Sequence, residues 1–362
     1  SNSLGLNSIF DLLILNLLLN IFFLFLISFT IIDYNKFFIF ILLASIITNF
    51  FYFFSKKKYL KFFSNKEFIF FILINFIIFF SIARNSTLTW DGIENWYFKA
   101  QIFFYNYNFF DLKEVRGFNY YPHLGSFLWG FFWKNSLLQY EYFGRLIYIY
   151  IFLLSIFSIS NLLDKKNFIR SIYCFLLILL CYDNFLIGGY QEILLFSFLI
   201  FLSKNIYLYV VNEKRFNLIL CFFILNFIPW IKNEGYLFLI IFTLSLSFLI
   251  KYLKNKKDIL TFIILSWTFL IIKNLIFYKY LSLNLIHSAN IPSEYHFYDI
   301  INLVILVLKG LLVAIFKYKI WLFIISAFVF FNINNLSTKK KFFFNFLIVN
   351  LIFYFFTIFE IG

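Results

Sequence analysis

Thr87-Leu-Thr-Trp-Asp-Gly-Ile-Glu-Asn-Trp-Tyr-Phe-Lys-Ala-Gln101 is the first place in the chain where hydrophobic sequence gives way to a long polar segment, and it carries Asp, Glu, Trp and Lys together. The sequence before it is apolar in runs long enough to cross a bilayer, which takes about 20 residues per helix. Most of the sequence after it reads the same way. A carboxylate just beyond a membrane span can sit in water at the bilayer edge and face both a lipid-borne and a soluble reactant. That contrast decides the fold class: an all-α integral membrane protein whose first large loop is this segment.

Composition points the same way. The 362 residues are 63% hydrophobic and 26% aromatic, with mean hydropathy +0.88, whereas soluble domains are about 45–50% apolar. The 62 Phe, with the many Ile, Asn, Lys and Tyr, are residues of AT-rich codons and carry little functional information one by one. The net charge of +14 is explained by Lys and Arg collecting in cytoplasmic loops. No basic patch lies outside those loops, which argues against nucleic acid as a partner. Cys174, Cys181 and Cys221 lie in apolar stretches without C-x-x-C or His/Cys ligand spacing, so neither a disulfide framework nor a zinc site is expected. The first apolar run is long enough to span, unlike a cleavable signal peptide. Methionine is absent even at position 1, which reads as a chain truncated at one or both ends. The organisation expected is a single transmembrane domain over 1–362 with its catalytic loop at 84–120.

Working outward from that loop, basic clusters set the orientation. Spans are expected at 9–32 and 37–54, followed by the basic loop from Ser55 to Lys66, and a third span at 67–83 then delivers Arg84 and Asp91 to the outer side. Within the loop, Trp96, Ala100, Phe103 and Phe104 share one helical face, as in a short interfacial helix with Trp and Tyr at headgroup level. The apolar pieces at 121–133 and 138–160 precede the basic loop Asp164–Arg170. The return to the inside takes one full span plus a re-entrant or interfacial piece at 121–133. Further spans are expected at 168–186, 193–211, 217–228 (broken at Pro229), 236–250 and 259–277, then an outer loop at 278–298 with His287, Pro292, Glu294 and His296. Stretches at 299–316 and 318–333 precede Lys339–Lys341, and one of them lies in the interface if that basic run is inside. A last span covers 342–359.

This topology, drawn from the basic loops, places Asp91, Glu94, His123, Glu192, Lys232, Glu234 and His287 on one outer face. Ionisable groups at span ends mark a site or an anchor. Lys232-Asn-Glu-Gly235 offers a cation, an amide and a carboxylate in one turn. It can act as a phosphate or sugar clamp, with Lys as point charge and Asn233 and Glu234 as hydroxyl partners, or be an ordinary solvated turn. Gly188-Gly-Tyr-Gln-Glu192 marks a helix break. Lys99 is a further candidate beside Asp91.

At Trp90-Asp-Gly-Ile-Glu-Asn-Trp-Tyr-Phe-Lys-Ala100 the chain resembles the bacterial GT-C glycosyltransferases, relatives of the polyprenyl-phosphate-sugar-dependent protein and lipid transferases. Tyr121-Pro-His-Leu124 stands where those proteins have a Pro-Pro-Leu-like helix start, with His123 in the place of the second Pro. The Lys232-Asn-Glu-Gly235 turn has a counterpart in one group of them. Glu192 stands where Asp is often seen, and two spans precede the loop where many relatives have one. The resemblance covers 90–235. It implies a GT-C-like bundle of roughly 10–12 transmembrane helices with interfacial helices in the first outer loop.

The activity it implies is inverting transfer of a hexose or pentose from a polyprenyl-phosphate carrier to a lipid, glycan or protein acceptor. The active site would face outward from a bacterial inner membrane. Asp91 would be the general base. Lys232 would meet the carrier phosphate, which needs a cation to take its charge, and Lys99, Glu94, His123, Glu192, Asn233 and Glu234 would bind substrate. Some relatives use Mg or Mn and others none, and no ligand cluster here demands a metal. An O-antigen-type polymerase or ligase would use the same carrier with Arg-rich outer loops. A lipid-carrier flippase or transporter would show internal repeats and charges near span midpoints.

Overall fold

The computed structural model describes residues 9–27, 65–84, 87–105, 122–162, 167–181, 188–212, 214–250 and 255–281, with the single positions 36, 39, 40, 43, 47 and 109. The expected span at 37–54 (those single positions apart) and the spans at 299–316, 318–333 and 342–359 lie outside the described residues. So do the basic loop 55–64, His287, His296 and Lys339–Lys341.

Among the described residues every regular element is helical: α1 (Ile9–Ile27), α2 (Lys66–Arg84), a π-helical turn (Gly92–Tyr97) running into α3 (Phe98–Tyr105), α4 (Leu124–Lys134), α5 (Glu141–Ser160), α6 (Asn167–Cys181), α7 (Glu192–Asn212), α8 (Arg215–Ile231), α9 (Glu234–Leu249) and α10 (Lys256–Leu281). Five of them, α1, α2, α5, α7 and α10, are long and apolar enough to cross a membrane. This is a membrane protein.

The patterning explains which helices are central. In α2, Phe71, Ile74, Ile78 and Ile82 are buried while Leu73, Phe76, Ile77 and Phe80 are exposed. That is one apolar stripe turned to the bundle and an equally apolar one turned to lipid. Glu67 in its first turn and Arg84 in its last complement the helix dipole. The same split runs along α10, with Ile259, Phe262, Leu270 and Phe277 buried and Leu260, Ile264, Ile271 and Leu275 exposed. By contrast α5 and α7 are buried almost all round. They pack against each other, and α7 lies along α8. Hydrophobic expulsion from water does not act between helices in lipid, so close packing and interhelical hydrogen bonds hold this bundle together.

Polar links show which helix ends lie together. At one end, Lys204 of α7 joins Asp11 of α1 and Ser158 of α5, Glu67 approaches Arg170 of α6 at 3.6 Å, and Arg215 of α8 meets Asp258 of α10 at 2.9 Å. At the other end, Glu192 of α7 meets Lys232 after α8. There Arg145 of α5 holds Glu141 through two parallel contacts of 2.8 and 2.9 Å and reaches the Thr87 carbonyl. This second end carries the Asp91 segment.

Two elements bear directly on the sequence reading. Pro229 lies inside α8, which continues to Ile231 before Lys232 ends it. The helix therefore runs three residues past the expected boundary, because Pro this close to a C-terminus forfeits a single backbone hydrogen bond. The segment at 121–133 forms α4, 11 residues long. At 1.5 Å per residue that is about 16 Å, too short to cross, and it is buried nearly throughout between α3 and α5.

Candidate functional site

Asp91 sits at the N-cap of the π-helical turn. A π-turn closes i→i+5 hydrogen bonds, which brings the fifth residue on back over the first. The Trp96 indole N–H accordingly donates to Asp91 Oδ2 at 2.9 Å, while the Asn95 amide donates to Oδ1. Both donors fix the direction of the carboxylate. Asp91 itself remains partly exposed, and Glu94, one turn on, is exposed.

This segment is docked rather than floating. The Gly188 carbonyl accepts from both the Thr89 N–H (3.1 Å) and the Thr89 hydroxyl (2.9 Å). A Cβ on Gly92 would come within 2.3 Å of that same oxygen, so only glycine lets the two backbones meet. Gly189 has φ +87°, a conformation that glycine adopts freely, and it turns the chain into α7. Four residues after Gly188 comes Glu192. The Asp91 segment and the Glu192 helix therefore share one junction. Below the turn, Trp96, Ala100 and Phe103 are buried, and Ser126 of α4 donates to the Trp96 carbonyl at 3.1 Å. The shared face read from the sequence packs on α4. Trp90, 73% exposed, is the ring that projects.

The second group is the turn between α8 and α9. Lys232 Nζ lies 2.5 Å from Glu192 Oε1, with both side chains largely buried. The second Glu192 oxygen, Oε2, and Asn233 Oδ1 are buried acceptors with no hydrogen-bond partner among the described residues. Glu234 opens α9, and its side chain lies outside what is described.

A third group gathers around His123, which precedes α4. His123 is 1% exposed, and both of its ring nitrogens lack a hydrogen-bond partner among the described residues. Phe109, Phe277, Trp230 and Phe103 surround it at centroid distances of 4.9, 5.3, 5.7 and 6.3 Å. Burial pushes its pKa well below the usual 6.5, and the charges of Lys99 and Lys273 push it further. Lys99 is buried with its ammonium 5.7 Å from the centre of the Trp96 ring, and burial lowers its pKa to about 7. Lys273, buried in α10, donates to the Asn226 carbonyl of α8 at 3.0 Å.

Of the residues singled out in the sequence, the structure thus joins Glu192 to Lys232 and brings Lys99 near His123. It ties Asp91 to the Glu192 helix through Gly188 and leaves Glu94 at the surface. Sequence reasoning passed over Lys273, Lys204, Arg145 and Gln191, the last buried and donating to the Tyr148 hydroxyl at 2.8 Å. Lys204 and Lys273 each interrupt an apolar run, which was the available signal, since a cation in a span marks function or a specific partner. Among the described residues no three His, Cys, Asp or Glu come together as a metal-holding group. No family model, no curated protein and no solved structure matches the chain.

Proposed function

We propose that the protein is a membrane-embedded glycosyltransferase of the GT-C type, moving a sugar from a polyprenyl-phosphate carrier to an acceptor at the outer membrane face. The observation that carries this reading is the Asp91 carboxylate, partly exposed and aimed by the Trp96 and Asn95 donors on a turn anchored to Gly188. A general base must be ionised, oriented and in reach of the acceptor hydroxyl. Two side-chain donors leave carboxylate lone pairs for that proton. Direct displacement assisted by one base inverts the anomeric centre. In this reading Glu192 Oε2 and Asn233 Oδ1, acceptors without donors, take hydroxyl groups of the sugar. Lys232, already facing Glu192, orients that carboxylate.

The test is transfer in nanodiscs from a polyprenyl-phosphate sugar to a mixture of candidate acceptors. Asp91→Asn keeps the size and the Trp96 contact region while removing the base, so transfer should fall at least about 100-fold, the usual contribution of a positioned base. Unchanged transfer by the variant ends the assignment of Asp91.

A second reading, a lipid-carrier flippase, is favoured by one observation: Lys204 and Asp11 form a buried pair inside apolar helices, and in-span charges are common in transporters. Flipping of a fluorescent carrier analogue that persists in Asp91→Asn, with no transfer by the wild type, would put that reading first.

A further inference from the structure

We infer that the protein holds an acyl chain of a bilayer phospholipid in a slot between α1, α4 and α5, on the side of α4 turned away from the Asp91 segment. A cavity of about 550 Å³ lies there, within the roughly 300–1,000 Å³ of ordinary ligand sites. Side chains three and four apart share a helix face, and α4 uses two faces for two neighbours. On one, Ser126 donates to the Trp96 carbonyl, and a Cβ on Gly130 would come within 2.4 Å of the Ala100 carbonyl oxygen. On the other, Leu128, Phe131 and Asn135 line the cavity. Leu13, Leu17 and Leu24 of α1 and Phe143, Ile147 and Tyr150 of α5 form its other walls, and both helices are long and apolar enough to cross a membrane. Asn16 and Phe132 on its walls are exposed, so the slot opens outward to the bilayer.

Its depth and its polar end select the occupant. Asp11 of α1 meets Lys204 at one end of the bundle. Phe25 packs at 5.0 Å on Trp230, two residues before Lys232, at the Asp91 end. From Leu13 to Leu24 the helix therefore rises toward the Asp91 end by about 16 Å. That is half of a hydrocarbon core about 30 Å thick, the depth of one leaflet. The two amides at that depth are turned to each other, Asn20 donating to Asn16 Oδ1, and the rest of those walls is apolar. At the Asp91 end, Asn135 and Ser136 donate to the Phe131 and Trp133 carbonyls, which leaves their side-chain oxygens as acceptors for a head-group ammonium or hydroxyl. Just beyond, Leu137 is 100% exposed, and Tyr140 stacks on Tyr142 at 5.6 Å. A leucine this exposed beside tyrosines marks the level where hydrocarbon meets head groups. A phospholipid of that leaflet has a chain of the slot's depth and a head group at its polar end, whereas a long polyprenyl chain would outrun it. The slot lies across α4 from the Asp91 turn, so this inference does not rest on the transferase reading.

The experiment places the full chain in phosphatidylethanolamine nanodiscs that carry a trace of the same lipid with a diazirine midway along one acyl chain. After irradiation, mass spectrometry of peptides maps the label. The exposed face of α10, with Ile264 and Ile271, reports the surrounding bilayer in the same sample. Labelling of the α1 and α5 walls should exceed that of α10. The excess should be lost in Leu13→Trp and in Leu146→Trp, two half-buried positions on facing walls where a larger ring fills the slot, while α10 is labelled as before. Equal labelling of the slot and α10 in the wild type overturns the inference, and that comparison needs neither variant to fold. So does an excess that survives both substitutions. Loss of the excess when a small mole fraction of unlabelled polyprenol is added overturns the phospholipid and assigns the slot to an isoprenoid chain. Asp91→Asn should keep the excess whatever it does to transfer. Loss of transfer with the excess intact supports both readings, and transfer that survives with the excess intact sinks only the assignment of Asp91.

Discussion

Lys232 and Lys273 are both buried lysines near the Asp91 end of the bundle, and the carbonyl that takes Lys273 lies only six residues before Lys232 on the chain. Their surroundings differ. Lys232 faces a carboxylate at 2.5 Å, so its charge is cancelled locally and the pair serves to hold Glu192. Lys273 donates to the Asn226 carbonyl, and its charge acts on His123. A closed ion pair fixes the geometry between two helices, whereas a carbonyl holds a buried cation by a single hydrogen bond. Residues kept in such a costly arrangement are the ones to suspect of function.

The largest effect should come from breaking the closed pair. Glu192→Gln strands the Lys232 cation in a largely buried place, and removing one partner of such a pair costs about 3–5 kcal/mol. Thermal unfolding in detergent should show that loss, with most of it recovered in Glu192→Leu/Lys232→Met. If Glu192→Gln unfolds like the wild type, the pair is not closed and the contrast with Lys273 disappears.

The opposite sign is expected in the basic cluster. His123→Phe removes two buried, unpartnered nitrogens and extends the ring packing. It should stabilise the protein by about 1–2 kcal/mol, the penalty of an unsatisfied buried polar group. A loss of stability in the same unfolding measurement would mean that the histidine is satisfied where it stands.

A third way to test the contrast is the pH dependence of stability. Lys99 has a folded pKa of about 7 against an ordinary 10.5. Between those values the unfolded chain holds a proton that the folded chain has released, so stability rises with pH across this window. His123 and Lys273 face the same cluster, and the depressed His123 pKa acts in the same direction at lower pH: stability falls as pH drops below 6.5. Melting temperatures from pH 6 to 10 should therefore climb, and Lys99→Met should flatten the part above pH 7. A wild-type profile that is flat or falls over that range would show that Lys99 keeps its proton in the folded state.

Among the described residues, most of the spanning helices were legible in the sequence. The runs at 67–83, 138–160, 193–211 and 259–277 reappear as α2, α5, α7 and α10 to within a few residues, because an apolar run of spanning length and a basic cluster beside it are local signals. Asp91 stood out for the same reason, as a carboxylate at the end of such a run. The sequence also showed Lys99, His123, Glu192 and Lys232 as polar interruptions, but not which of them meet. Glu192 and Lys232 are 40 positions apart and cancel each other, and only the packing of α7 along α8 puts them within 2.5 Å. Lys273 looked like one more residue of a span until α10 turned it toward Asn226. The π-turn that aims Trp96 at Asp91 is likewise invisible in periodicity, which assumes the ordinary helical repeat. Composition and spacing determine where a membrane chain crosses and which groups are too polar to face lipid. The side on which each helix presents those groups, and hence which of them meet, depends on rotation and depth against neighbours. Those are set by long-range packing that no local stretch encodes.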